Sequence, residues 1–210
     1  YLRAAREALW QSAFSNAREY GERAQAASEQ VTLSAEAKLP LRLLKLELNQ
    51  IKSWSSAHEA EAIEMAALAK TLKDVETLHG VTMPRLRQLT AQGDIDEMRT
   101  LGAEVIEMAR DLGKRPFLIT TLIEVARLWS IYTLEPEKAI PLSEEAIRLA
   151  RLTSQPALLA ISLMNVIGSC FQIEKVAKAQ QHLVELTTLM QAEPSLASLQ
   201  ITYLNLQARS

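Results

Sequence analysis

Cysteine is almost absent from this chain: Cys170 stands alone. It can form no internal disulfide, and one thiol offers no thiolate cluster for zinc; an intracellular, cytoplasmic setting is the expectation that follows. Glycine and proline are scarce as well, with 6 and 7 residues, and aromatics make up 5% of the chain. Ala and Leu supply most of the apolar 48%, and Glu, Arg, Gln and Lys fill much of the rest. Helix formers dominate and β-branched runs are few, so the expected fold class is all-α. Charge of one sign is lacking too. The net charge is −2 with the signs interspersed, which removes the electrostatic case for direct nucleic-acid binding or for an anionic membrane surface. No apolar run approaches the ~20 residues of a spanning helix. The richest stretch, FLITTLIEV at 117–125, is interrupted by Thr and Glu. No signal-peptide pattern is visible. The chain opens at Tyr1 rather than Met, and helical patterning runs into both ends. It reads as a fragment of a larger protein.

The few prolines and glycines act as punctuation. Pro fits the first turn of a helix, and Gly is favoured just past a helix end. On that rule Pro40, Pro84, Pro116, Pro136, Pro156 and Pro194 each open a helix, while Gly80 and Gly113 close one. Gly93-Asp94 makes a turn, and Asp94 with Glu97 has the spacing of a capping box. Pro141 lies inside the helix expected from Pro136, which therefore begins later or is kinked. The expected helices cover 2–19, 22–36, 40–54, 57–78, 84–92, 94–112, 116–132, 136–153, 156–172, 174–192 and 194–208. Short connections make neighbours antiparallel.

The pattern then recurs. EKAIPLSEEAIRLARL (137–152) lies over AKAQQHLVELTTLMQA (177–192), with Ala139 meeting Ala179 and Leu149 meeting Leu189. Ile147, Ala150 and Arg151 match Ile106, Ala109 and Arg110, and Ile106-Glu107-Met108-Ala109 repeats Ile63-Glu64-Met65-Ala66. The first helices agree also, PFLITTLIEVA (116–126) over PALLAISLMNV (156–166). A period of about 40 residues with two helices per unit is the signature of an α-solenoid. The stretch VIEMARDLGKRP (105–116) becomes a seam between units, and its charges Glu107, Arg110 and Asp111 are not expected to form a site.

In the second helices three positions recur, the second four residues and the third seven residues after the first: Met98-Gly102-Val105, Ala139-Ser143-Ala146 and Ala179-Leu183-Leu186. In this they resemble tetratricopeptide repeats in degenerate form, and Gly93 stands before Met98 where that family places its turn. The units are longer than the family consensus, and its first-helix Trp, Leu-Gly and Tyr positions are not kept in order. The length suits the superhelical variants of bacterial regulators; HEAT repeats have a similar period and stay open as an alternative. The resemblance implies one right-handed α–α superhelix over 1–210, with about four to five antiparallel helix pairs. It also implies a non-catalytic module that receives a protein or peptide in a concave groove, with no cofactor.

Residues with chemistry do not cluster. His58, His79 and His182 are scattered, and the position four after His58 is Ala62 rather than the second His of a zinc-protease motif. No Gly-rich phosphate loop or GxSxG is present. Cys170 sits among apolar neighbours, as a buried structural cysteine would. Met65 and Met108 occupy equivalent positions and are expected to pack between helices, as are Trp10, Trp54 and Trp129.

One pattern is sharper. Polar residues recur at helical spacing in the first helices: Arg42, Lys45, Asn49 and Lys52; Arg85, Gln88 and Gln92; Ser162, Asn165, Ser169 and Gln172; and Ser195, Ser198, Thr202 and Asn205. Helix 116–132 offers only Thr121 and Glu124. In tetratricopeptide arrays the first helices line the groove, so the resemblance implies that these stripes form its wall. The alternative is that each stripe is the solvent face of an amphipathic helix. The cations Arg42, Lys45, Lys52 and Arg85 favour an acidic or C-terminal carboxylate ligand. A second functional reading is the sensor segment of a multidomain bacterial regulator, binding a small effector and relaying it to an output domain. A third is self-association through the terminal helix 194–208, where Leu196, Leu199, Ile201, Leu204 and Leu206 lack a following partner in sequence.

Overall fold

The computed structural model describes residues 1–10, 14–30, 33–50 and 55–208, and among them every regular element is helical. The backbone forms two compact units, Tyr1–Gln92 and Gly93–Ser210.

The first unit holds α1 (Leu2–Trp10), α2 (Phe14–Glu29), α3 (Ala35–Gln50), α4 (Ser56–Leu72) and α5 (Val75–Gln92). Helix α3 is central, touching each of the other four, and its Leu39, Leu43 and Leu46 meet Ala62, Met65 and Val81 in the core. Two boundaries depart from the punctuation rule. Helix α4 ends at Leu72 because Lys73 turns left-handed (φ 56°) and its N–H reaches back to Ala69 and Lys70. Asp74 then caps α5, accepting the Thr77 amide at 3.0 Å and the Thr77 hydroxyl. Helix α5 runs on through Gly80 and Pro84, which were expected to stop and restart it. Pro84 does forfeit one helical hydrogen bond. Burial of Val81, Met83, Leu86 and Leu89 along the same helix outweighs that loss. Gly80 is there for contact: a Cβ would lie 2.7 Å from Leu43 Cδ2, so its absence lets α5 approach α3. Pro40 likewise lies inside α3. At the start of α4, Ser55 accepts from the His58 amide and its own N–H donates to His58 Nδ1 at 3.1 Å. That closes a capping box in which His58 replaces the usual Glu.

The second unit holds α6 (Ile95–Asp111), α7 (Arg115–Leu128) continued by a π-helical turn (Trp129–Thr133), and α8 (Pro136–Ala150). It goes on with α9 (Pro156–Gln172), α10 (Val176–Ala192), a 3-10 turn (Pro194–Leu199) and α11 (Gln200–Gln207). The turn chemistry is as read: Gly93 and Gly113 adopt φ of 79° and 62°, and Asp94 accepts from the Glu97 amide at 3.1 Å. Helix α8 starts at Pro136 and continues through Pro141. Each helix packs on the next along the chain, α6 on α7 through to α9 on α10. All nine positions of the recurring second-helix pattern, from Met98 to Leu186, are buried. Charges repeat with them: Arg110 reaches Glu145 at 2.9 Å, and its repeat equivalent Arg151 reaches Glu185 at 2.7 Å.

The terminal segment does not expose the apolar face expected of it. Leu196, Tyr203 and Leu206 are buried with Leu163, Ile167 and Leu186, and Leu199 packs beside them; Leu204 is exposed, and the Ile201 side chain lies outside the described residues. The chain folds its own last helix back over α9 as a lid for the core.

His79 of α5 is 5% exposed, and burial holds its pKa down at about 4; Arg87 pushes the same way and Glu76 opposes. The unfolded chain, with an ordinary pKa near 6.5, then binds the proton more readily. Stability from this group is full above pH ~6.5 and is lost as pH falls toward 4, on the order of 3 kcal/mol at ~1.4 kcal/mol per unit. Urea denaturation followed across that range should show this slope for the wild type, and His79→Gln should flatten it.

Candidate functional site

Among the described residues no group of His, Cys, Asp and Glu could hold a metal ion. Cys170 is fully buried and burial pushes its thiol pKa up, away from the nucleophilic thiolate. His182 is lowered by burial as well.

The polar stripes fare unequally. Arg42 on α3 donates to Glu64 at 2.9 Å and to Glu61 at 3.3 Å, both on α4. Those bonds raise the guanidinium pKa, Glu64 foremost, and hold the Glu64 carboxyl below its usual range. Lys45 is exposed. It shares with Arg42 a groove of about 430 Å³ between α2 and α3, completed by Gln25, Ser28, Glu29, Lys38 and Leu41. Glu29 accepts from Gln25 at 2.8 Å, whereas Lys38 and Lys45 make no ion pair among the described residues. The Asn49 side chain and all of Lys52 lie outside the described residues. Arg85 on α5 faces Glu59 of α4 at 3.4 Å, and Gln88 is partly exposed one turn on.

In the second unit the α9 stripe is divided: Gln172 is exposed and Asn165 partly so, while Ser195, Ser198, Thr202 and Asn205 after it are all exposed. Ser162 and Ser169 are buried. Ser162 donates to its own helix at the Leu158 carbonyl, 2.7 Å away. Asn165 reaches across to the Ile123 carbonyl at 2.9 Å, Ser169 donates to Ser130 at 3.1 Å, and Ser130 donates to Gln172 at 2.6 Å. These contacts join α9 to α7 and its π-helical turn. Glu124 is tied to Arg127 on the same helix through both carboxylate oxygens. Ser162 and Ser169 therefore leave the groove wall expected of them: buried hydroxyls cannot meet a ligand.

No protein-family model, curated protein or solved structure matches this chain.

Two features lie outside the sequence reading. Lys38, Gln25 and Ser28 join the cationic groove through the α2–α3 packing, though the spacing of Gln25, Ser28 and Glu29 does set them on one face of α2. The seam stretch also regains an interest: Ile106, Glu107, Met108, Arg110 and Asp111 line a second groove, of about 550 Å³, with Trp129 and Leu142 opposite. Met108 is only partly buried there, unlike its repeat equivalent Met65 in the core.

Ser130→Ala removes the acceptor of Ser169 and the donor of Gln172, so it should lower the stability of the second unit by roughly 1–2 kcal/mol. Thermal denaturation measures this, and the variant should keep wild-type affinity for any ligand of the α2–α3 groove.

Proposed function

We propose that the chain is a non-catalytic binding module made of degenerate tetratricopeptide-like helix pairs, wound as a right-handed α–α superhelix. In this reading the α2–α3 groove takes an acidic segment or a C-terminal carboxylate from a protein partner. The observation that carries the reading is the gathering of Lys38, Arg42 and Lys45 on one groove. The recurrence of buried second-helix positions, and of the Arg110–Glu145 bond as Arg151–Glu185, supports the repeat.

The three cations play different parts. Arg42 has its charge largely answered by Glu61 and Glu64, which fix the guanidinium at the groove. Lys38 and Lys45 outnumber the one carboxylate of the lining, Glu29, and attract a carboxylate through water-exposed, salt-sensitive contacts. Gln25 and Ser28 offer hydrogen bonds to an extended backbone. Rigid helices already hold the site, so binding orders the ligand and little of the receptor.

A glutamate-rich decapeptide with a free C-terminus should bind the wild type with an affinity that falls as salt rises. Lys38→Glu with Lys45→Glu should weaken it at least tenfold, about 1.4 kcal/mol, without changing the melting temperature, because both side chains are exposed. Unchanged affinity in isothermal titration would remove the groove from the reading. Arg42→Glu should lose binding and stability together, since it also strands Glu61 and Glu64.

A further inference from the structure

The groove between α6 and α8 has an apolar floor under an acidic rim. Ile106 is buried, Met108, Trp129 and Leu142 are partly exposed beside it, and the space is about 550 Å³. The π-helical turn that begins at Trp129 departs from α7 at this edge, and such turns are frequent at functional sites. Gly102 of α6 lies beside the ring: a Cβ there would meet Trp129 Nε1 at 3.4 Å, an ordinary packing distance. The indole thus beds against α6 and presents a large anchor to the groove, of the kind that dominates helix recognition. Met108 adds an adaptable, polarizable surface.

The rim has one sign. Glu104, Glu107 and Asp111 are all exposed, and their spacing places them along one line of α6, roughly 10 Å long at 1.5 Å per residue. The single cation among the lining residues, Arg110, is committed to Glu107 and, across to α8, to Glu145. Counting Glu145, four carboxylates face one guanidinium. An apolar trough about two helical turns long, flanked by carboxylates at helical spacing, complements one ligand class. Its apolar residues would recur at i, i+3, i+4 and i+7, with Lys or Arg beside them. Anionic surfaces and acidic peptides are repelled by the same rim.

We propose that this groove docks a basic amphipathic helix of a protein partner, with apolar side chains on Met108, Trp129 and Leu142 and cations against Glu104, Glu107 and Asp111. The site is separate from the α2–α3 groove and opposite to it in charge preference.

Two fourteen-residue peptides test this on the full chain, one of Leu and Lys with leucines at i, i+3, i+4 and i+7, the other with every Lys replaced by Glu. The Leu–Lys peptide should bind, as read by fluorescence anisotropy, and the Leu–Glu peptide should bind at least tenfold more weakly. Glu104→Gln, Glu107→Gln and Asp111→Asn together should weaken the Leu–Lys peptide tenfold or more and flatten its salt dependence. Met108→Ala should weaken it several-fold with the salt dependence kept. Lys38→Ala with Lys45→Ala should leave it unchanged. Equal binding of the two peptides, undiminished binding by the neutralised rim, or no binding of the Leu–Lys peptide at millimolar concentration each overturns the proposal.

Discussion

A helix of 15 to 17 residues has little stability by itself in water, so α6, α8 and α10 persist because each buries the same stripe. Met98, Gly102, Val105 and Ala109 do this for α6, and Ala139, Ser143, Ala146 and Ala150 for α8; Ala179, Leu183 and Leu186 serve α10. The Trp129 indole packs against this stripe at Gly102. The end of the unit obeys the same constraint. After α10 the chain uses Leu196, Tyr203 and Leu206 to cover apolar surface of α9 and α10.

Once the apolar stripes are spent on packing, the surface chemistry depends on which charges are also spent. Arg99, Arg110, Arg127 and Arg151 are engaged with carboxylates of their own or neighbouring helices. Exposed pairs of this kind add little stability singly, but they decide which residues still have charge to offer a ligand. At the grooves, Lys38 and Lys45 on α3, Glu29 on α2, and Glu104 and Asp111 on α6 make no ion pair among the described residues. The two grooves differ in the sign of their lining charges and lie on different compact units.

Much of the helical order was legible because the turns between helices are made by local chemistry: Asp94 capping, Gly113 in the left-handed region, Pro156 in a first turn. What misled were residues whose role is tertiary. Gly80 looks like a stop until Leu43 is seen packed against it, and Pro84 looks like a start although α5 is buried on both sides of it. Asp74 was the local signal for that boundary, three residues before Thr77. The α9 stripe misled for another reason. Periodicity separates polar from apolar, but a serine can bury its hydroxyl by donating to its own helix, as Ser162 does, or to a facing serine, as Ser169 does. Polar spacing therefore does not distinguish an exposed face from an internal seam. Of the expected groove residues, Arg42 and Lys45 come together on a groove, joined by Lys38 from the neighbouring turn.

Hydrogen exchange with and without a saturating glutamate-rich peptide tests the central claim most directly, because it maps contact without mutation. Added protection confined to segments covering 25–45 is the result expected of an α2–α3 groove. Protection at 156–172 instead, or none anywhere at saturation, would contradict it.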